Sequence, residues 1–424
     1  MDNELAKSIV ATVERLESET IERLQELIRI PSVTGAEHDV QQAVARQMNG
    51  LALEIDMWEP DARELAPYAE HVGEFASLAG RPNVVGTRRG AGGGRSMILN
   101  AHIDTVEAGD PEQWSVDPFL AELKDGRVYG RGACDMKAGL VAELMALRAL
   151  DEMGVSLMGD VIVESVISEE DGGAGALASL LRGHTADAAI ITEPTSLAII
   201  PAQGGSLVFR LTITGRSAHA CVRNEGVSAI EKFIYLHEAI LAHERAHHEA
   251  ITHPLYQRFA NRAPINIGTI RAGNWPSSVP ETVVVEGRAG LVPGESLDQT
   301  RTAMLASIEQ AAARDPWLAD HPPAVDWFSG QFSAAEIPLD HPLLHTLQNA
   351  HRRVAGANAM IDAATYGADM RHFVDTGRIP CVMYGPGDVT QAHRADEFVP
   401  VSEVLTVAST LAITLADWCG VRDT

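Results

Sequence analysis

The chain is short of cysteine, of aromatic side chains and of basic charge, and it has no long apolar run. Its 424 residues hold 4 Cys, 5% aromatics and 33 Lys and Arg against 58 Asp and Glu, for a net charge of −25. The four cysteines, Cys134, Cys221, Cys381 and Cys419, are scattered without a CxxC pair. That excludes a disulfide framework and points to reduced thiols in a cytoplasmic protein. The acidic balance argues against nucleic acid, whose binding needs Lys and Arg to neutralise phosphates. It argues equally against an anionic membrane surface. No stretch of 18 consecutive apolar residues occurs, so no membrane span is expected. The first 30 residues carry charges every few positions and lack the apolar centre of a secretory signal. What is present is ordinary globular material, 46% hydrophobic and 21% charged, which excludes a disordered or fibrous chain.

The length suggests two or three domains. Ile9, Val13, Leu16, Ile21, Leu24, Leu27 and Ile28 recur at helical spacing and predict one long amphipathic helix ending near Pro31. A second helix is expected over 37–48, then strands over 51–58, 83–88 and 96–104, a helix over 137–153, and strands over 161–168 and 187–193. Strands alternating with helices imply a sheet with parallel elements, and such sheets bind ligands beyond the carboxyl ends of their strands. From Gly204 the pattern changes. A half-exposed strand over 206–214, a helix near 227–246, strands near 265–271 and 281–291 and a helix over 296–313 form a strand–helix–strand–strand–helix unit. The expected organisation is a discontinuous unit, 1–203 and 322–424, interrupted by a smaller α+β unit over 204–321.

The residues able to do chemistry are His102 and Asp104 (AHIDT), Asp135 (CDMK), Glu169 and Glu170 (SEED), Glu193 (TEPT) and His393 (QAHR). Singly, each has an ordinary explanation as a hydrogen-bonded loop residue or solvated surface charge. Together, several converge on one edge of the predicted sheet, and buried like charges need compensation. Divalent cations supply it. Two His and three carboxylates form an N/O set suited to zinc, cobalt or manganese. A carboxylate can bridge two ions about 3.5–4 Å apart, whose bound water becomes a nucleophile near neutral pH. Such a site also needs a general base that is not itself a ligand, which an adjacent Glu pair can provide.

The motifs HIDTV, GRVYGRGACDMKAG, SEED, TEPT, GRSAHA, YGPG and AHRADEFVP together resemble a dinuclear metallo-peptidase/deacylase family. Its members include acetylornithine deacetylase, succinyl-diaminopimelate desuccinylase, aminoacylase and carboxypeptidase G. The resemblance runs in order along nearly the whole chain. It implies an α/β fold, a mixed and mostly parallel sheet flanked by helices, with an inserted lid and dimerisation domain. It further implies one or two Zn, Co or Mn ions held by His102, Asp135, Glu170, Glu193 and His393, Asp135 bridging and followed by a cis peptide bond. Asp104 would orient His102, and Glu169 would be the general base. His219 in GRSAHA would reach the active site of a partner subunit in a homodimer. Arg371 in YGADMRHF matches an arginine that holds a substrate carboxylate, with a structural ion pair as its ordinary alternative.

The sequence departs from that pattern in the small unit. Ser278 in AGNWPSSVPE stands where many relatives carry asparagine, and Arg288 lies in VEGRAGLVPGE in place of the commoner DxR followed closely by Pro-Gly. Both positions are candidate substrate contacts, and the departure puts recognition of an ordinary N-acyl α-amino acid in question. Other conspicuous features have plain readings. His243, His247, His248 and His253 read as a solvated helix end, and GAGGGR and EEDGGAG as turns without the GK[ST] of a phosphate loop. Cys134 reads as a buried thiol, and Trp114 and Trp275 as packing residues. The expected activity is metal-dependent hydrolysis of a C–N bond in a small carboxylated molecule, most plausibly an N-acyl amine or amino acid. The alternative is an aminohydrolase releasing ammonia from an aromatic amine such as a nitroanthranilate; a non-catalytic scaffold is a remote third.

Overall fold

The computed structural model describes residues 3–73 and 76–422. The long first helix is two helices, Asn3–Arg15 and Glu17–Ile28. They break at Leu16, whose φ/ψ of −88/8 leaves the helical basin while its side chain stays buried. The bend lets each segment turn its own apolar stripe, Ile9 and Val13 or Leu24 and Leu27, into one core.

The large sheet runs, edge to edge, Glu54–Trp58, Asn83–Arg88, Val161–Val166, Met97–His102, Ala189–Ile191, Cys381–Met383, Ile199–Gln203 and Ala335–Glu336, with Ile361–Ala364 also paired to Ile199–Gln203. It is mixed rather than mostly parallel. Met97–His102 runs parallel to Val161–Val166 and to Ala189–Ile191, and Cys381–Met383 parallel to Ala189–Ile191. Toward the edges, Glu54–Trp58 with Asn83–Arg88, Asn83–Arg88 with Val161–Val166, and Ala335–Glu336 with Ile199–Gln203 are antiparallel. Parallel neighbours need a crossover, which helix Ala138–Glu152 supplies between Met97–His102 and Val161–Val166. The register sets His102 opposite Val166 and Asn100 opposite Ile191, so the carboxyl ends of the three central strands finish together.

Helix Ala138–Glu152 is buried along most of its length and packs against the C-terminal helix Val401–Cys419. Among the described residues, Val401–Cys419 is one helix long and apolar enough to cross a membrane, with a mean hydropathy of 1.2. Of that window 72% is buried within the fold, as in a core helix. Helix Ala174–Arg182, which the periodicity did not reveal, is bounded by Gly173 and Gly183 at positive φ. All four cysteines are free thiols.

The smaller sheet is antiparallel, in the order Ile265–Ala272, Thr282–Leu291, Gly205–Thr214, Ala324–Trp327. Alternation along Gly205–Thr214 and Thr282–Leu291 puts Leu207, Phe209, Leu211, Val283 and Val285 on one face, under helices Ala229–Ala250 and Leu297–Ala312. A Ser296/Gln299 capping box starts the second of those helices. Strand Ala324–Trp327 lies beyond the boundary expected at 321, yet it pairs with Gly205–Thr214.

Candidate metal centre

Two ligand clusters lie beyond the common end of the central strands: His102, Asp135 and Glu193, and Asp135, Glu170 and His393. Within each, one donor atom per residue lies within 4.8 Å of the others, and Asp135 belongs to both. His102 ends its strand, Glu193 follows Ala189–Ile191, and Glu170 follows Val161–Val166. His102 Nε2 is 3.0 Å from Asp135 Oδ1 and 4.0 Å from Glu193 Oε1. On the other side, His393 Nε2 is 3.0 Å from Glu170 Oε1 and 3.5 Å from Asp135 Oδ2. The first cluster is deep, His102 being 1% exposed; His393 is 52% exposed and sits at φ +60 on a loop.

His102 Nδ1 lies 2.9 Å from the backbone oxygen of Asp104 and 3.6 Å from its carboxylate. With Nδ1–H donated to that carbonyl, Nε2 is the nitrogen turned toward Asp135 and the one available to a metal ion. The Asp104 carboxylate accepts the amides of Glu169 (3.1 Å) and Glu170 (3.2 Å) and the hydroxyl of Thr34 (2.9 Å). It therefore ties the Glu pair to the strand that carries His102. The Asp135–Met136 peptide is cis.

The charge state of this pocket favours cations. Burial pushes the Glu193 carboxyl up to about 8, with the Asp135 charge adding to it. Burial likewise raises Glu170, and raises Glu169 well above the carboxylate range. Asp135 is buried too, yet the imidazoles of His102 and His393 hold it low. Hydrogen bonds to Asp135 and Glu170 lift His393 to about 10. Three carboxyls raised by burial around an ionised Asp135, beside two imidazoles, fit a divalent transition-metal ion in one or both clusters.

Three supports of the centre escaped the reading of single residues. Glu397 accepts the amides of Gly132, Cys134 and Asp135 at 3.1, 2.8 and 3.1 Å and the guanidinium of Arg131 at 2.6 Å, bracing the segment that carries Asp135. Both residues lie inside motifs singled out in the sequence, AHRADEFVP and GRGACD. Arg81, paired with buried Glu37, donates to Ser168 Oγ at 2.7 Å, just before the Glu pair. Tyr366 feels the charge of the centre: burial first, then Glu193, Asp135 and Glu169, raise its phenol.

Arg371 does not stand open to a ligand. It is 1% exposed; its two terminal nitrogens donate to the carbonyls of Ala368 (2.9 Å) and Gly172 (2.8 Å), and it stacks 3.7 Å over the Phe332 ring. Its Nε has no hydrogen-bond partner among the described residues. Its bond to Gly172 steadies the turn that follows Glu169 and Glu170. Gly173 is required there: a Cβ on it would lie 2.2 Å from Asp369 Oδ1.

His219 and Ser278 are neighbours in the small unit, joined by an isolated β-bridge. His219 is exposed, its Nδ1 accepting the Cys221 amide at 3.2 Å, and among the described residues no hydrogen bond links it to the metal-site side chains. Ser278 helps line a cavity of about 510 Å³ with Ala220, Arg223 and Lys232. Arg288 is half-buried on Thr282–Leu291, and its Nε has no hydrogen-bond partner among the described residues. Cys134 is buried, and that burial pushes its thiol far up. Trp114 is core, Nε1 donating to Ala108 O at 2.8 Å, whereas Trp275 is 66% exposed. The GAGGGR segment is a turn in close backbone contact with its neighbours, a Cβ on Gly94 falling 1.9 Å from the Cys419 carbonyl.

Residues 98–417 match Peptidase family M20/M25/M40. The chain is 28% identical to an N-formyl-4-amino-5-aminomethyl-2-methylpyrimidine deformylase of Halalkalibacterium halodurans, over 98% of each chain. It is 29% identical to acetylornithine deacetylase of Klebsiella pneumoniae, over 89% of this chain and 92% of that one. A tripeptidase from Staphylococcus aureus superposes with a TM-score of 0.74 at 22% identity, over 95% of this chain and 98% of that one. A di-peptidase from Saccharomyces cerevisiae gives 0.77 at 13%, over 99% of each.

Proposed function

We propose that this chain, which belongs to peptidase family M20/M25/M40 and is a metal-dependent hydrolase acting on a C–N bond, removes a small acyl group from the nitrogen of a small amine. The observation that carries the chemistry is the pair of ligand clusters sharing Asp135, with Glu169 beside them and outside both. Bound divalent ions would lower the pKa of water and polarise the acyl carbonyl. His102 and Glu193 would hold one ion, Glu170 and His393 the other, and Asp135 both. Glu169 takes a proton from the attacking water as its oxygen bonds to the acyl carbon. The same proton passes to the nitrogen as the C–N bond breaks and the electron pair returns to the amine. A carboxylic acid and an amine are the products. Asp104, bonded to the amides of Glu169 and Glu170, keeps the base in place through both transfers.

Arg371 sharpens the substrate. Only 1% exposed beneath Phe332, with each terminal nitrogen bonded to a carbonyl, it is poorly placed to grip a substrate carboxylate. That favours a formamide or acetamide of a neutral or heteroaromatic amine over an N-acyl α-amino acid, in line with the deformylase relatives. Arg288 and Ser278 remain candidate substrate contacts. We read 1–203 and 322–424 as the catalytic unit and the intervening unit as lid and dimer surface. The exposed Ile230, Ile234 and Tyr235 of helix Ala229–Ala250 and the exposed edge strand Ile265–Ala272 support that reading. In such a homodimer His219 would complete the partner's site. The free thiols agree with a cytoplasmic location.

Mass spectrometry of Mn-, Co- or Zn-loaded protein with N-formyl and N-acetyl amines, N-acyl amino acids, dipeptides and aminobenzoates tests the proposal, with Glu169→Ala as control. Acid plus amine from a non-carboxylated amide is the expected result. A preference for N-acyl amino acids would refute the Arg371 argument, and hydroxyl replacing amino on an aminobenzoate would make the enzyme an aminohydrolase. His219→Ala should lower turnover at least ~10-fold with metal content intact; an unchanged rate removes His219 from the mechanism.

A further inference from the structure

Away from the centre described above, the long helix of the small unit contains the run His243-Glu244-Arg245-Ala246-His247. Histidines four apart share one face of a helix, the spacing by which the HExxH pattern offers two imidazoles to one zinc ion. The structure does not leave this pair as a solvated helix end. Both side chains are half-buried, and the rings lie 6.1 Å apart between centroids with planes 19° from parallel. His247 Nε2 is 2.6 Å from Glu295 Oε1, on the segment that leads into helix Leu297–Ala312. The other oxygen of Glu295 accepts the Val292 amide at 2.9 Å, so this carboxylate is held in orientation before any ligand arrives. Among the described residues no hydrogen bond holds His243, whose ring stands against that of His247.

We propose that His243, His247 and Glu295 form a second, structural site for a divalent transition-metal ion, of the zinc, cobalt or nickel class. Two imidazole nitrogens and one carboxylate oxygen are a donor set that these ions take, with water completing the coordination. Binding replaces the proton shared by His247 and Glu295. It staples helix Ala229–Ala250 to the start of helix Leu297–Ala312, two elements that already pack side by side over the small sheet. The site is not a second hydrolytic centre, because the glutamate of the run is occupied. Glu244 Oε1 accepts the Ile265 amide at 2.7 Å and the Asn261 amide group at 3.3 Å, which ties it to the neighbouring strand and leaves no free base. With a net charge of −25 the chain attracts such cations from dilute solution.

The test is zinc stoichiometry of the full-length protein, equilibrated at a series of buffered free Zn²⁺ concentrations and read by elemental analysis. Wild type is compared with His243→Ala, His247→Gln and Glu295→Gln. The expected result is one zinc equivalent fewer in each variant at concentrations that fill the site in wild type. The thermal midpoint of wild type, but not of the variants, should rise as zinc fills this site. With cobalt, the difference spectrum between wild type and His243→Ala should show the visible bands of a single ion. Hydrolysis by the variants should match wild type, since none of the three residues belongs to the Asp135 centre. Equal stoichiometry in wild type and all three variants would overturn the proposal. So would a loss in His247→Gln alone with His243→Ala unchanged, which would mean zinc bound by His247 without His243. Because metal content is read directly, the result stands whether or not the proposed deacylation is found.

Discussion

The two halves of the metal centre are built on different footings. His102 and Glu193 are fixed by a strand end and the residues just after one, deep in the sheet, and the His102 tautomer is set by the Asp104 carbonyl. Glu170 and His393 come from loops; His393 is half exposed and reaches the site from a segment more than 200 residues away in sequence. Asp135 is common to both, and its position depends on the Glu397 brace. The contrast teaches that one shared carboxylate can join two candidate ligand clusters of unequal rigidity. The inner position owes its geometry to sheet register, the outer one to loop conformation.

The sharpest separation of chemistry from binding is Glu169→Gln. It should lower turnover ~10²–10⁴-fold while both halves still bind metal; metal loss on elemental analysis would make Glu169 a ligand and erase the distinction. Next in size, Glu397→Ala strands the buried Arg131 guanidinium and frees the Asp135 segment. It should cost about 3–5 kcal/mol in denaturant unfolding and weaken both metal positions, because they share Asp135. A variant that loses only one position would show that Asp135 is not the common element. Replacing the two histidines separates the halves. His393→Ala should weaken one ion ~10–100-fold and spare the other, whereas His102→Ala should abolish tight binding at the inner position. Identical titration curves for the two variants would mean the halves are equivalent.

The smallest expected effect concerns the floor beneath both halves. Glu164 lies in strand Val161–Val166, bonded to Asn100 Nδ2 at 2.9 Å and Ser179 Oγ at 2.6 Å, and burial pushes its carboxyl up to about 7. Its unfolded value is near 4.3. Between those values the folded chain holds a proton that the unfolded chain has released, so this group makes stability fall as pH rises through that window. Glu164→Gln should flatten the decline between about pH 4.5 and 7; the same slope in both proteins would place the pH dependence elsewhere.

The candidate ligands were legible because their signal is local. A polar residue that ends an apolar run, as in SMILNAHID, marks a strand terminus, and several such termini in an alternating α/β chain must meet on one side. The helix break at Leu16 was not legible, since apolar spacing continues across it and only the shared core decides how each segment turns. Nor was the extent of the parallel region, which depends on which strands become neighbours. Glu397 and Arg131 were visible inside motifs, but nothing in one sequence says that a glutamate near the C-terminus accepts three amides near residue 134. The role of Arg371 needed coordinates as well. Its neighbours in sequence suggest a ligand-binding arginine, and only the fold shows it buried against the Gly172 carbonyl and the Phe332 ring, brought in from distant segments.

By itself, then, the sequence determined the α/β class, the acidic charge, the cysteines unsuited to a disulfide framework and the types of donor available, because each follows from composition and short-range periodicity. Tertiary structure alone decided which donors cluster, which histidine is deep and which is open, and which arginine is buried. Those outcomes depend on distances between segments far apart in the chain, set by strand register and by burial that makes an unpaired charge costly.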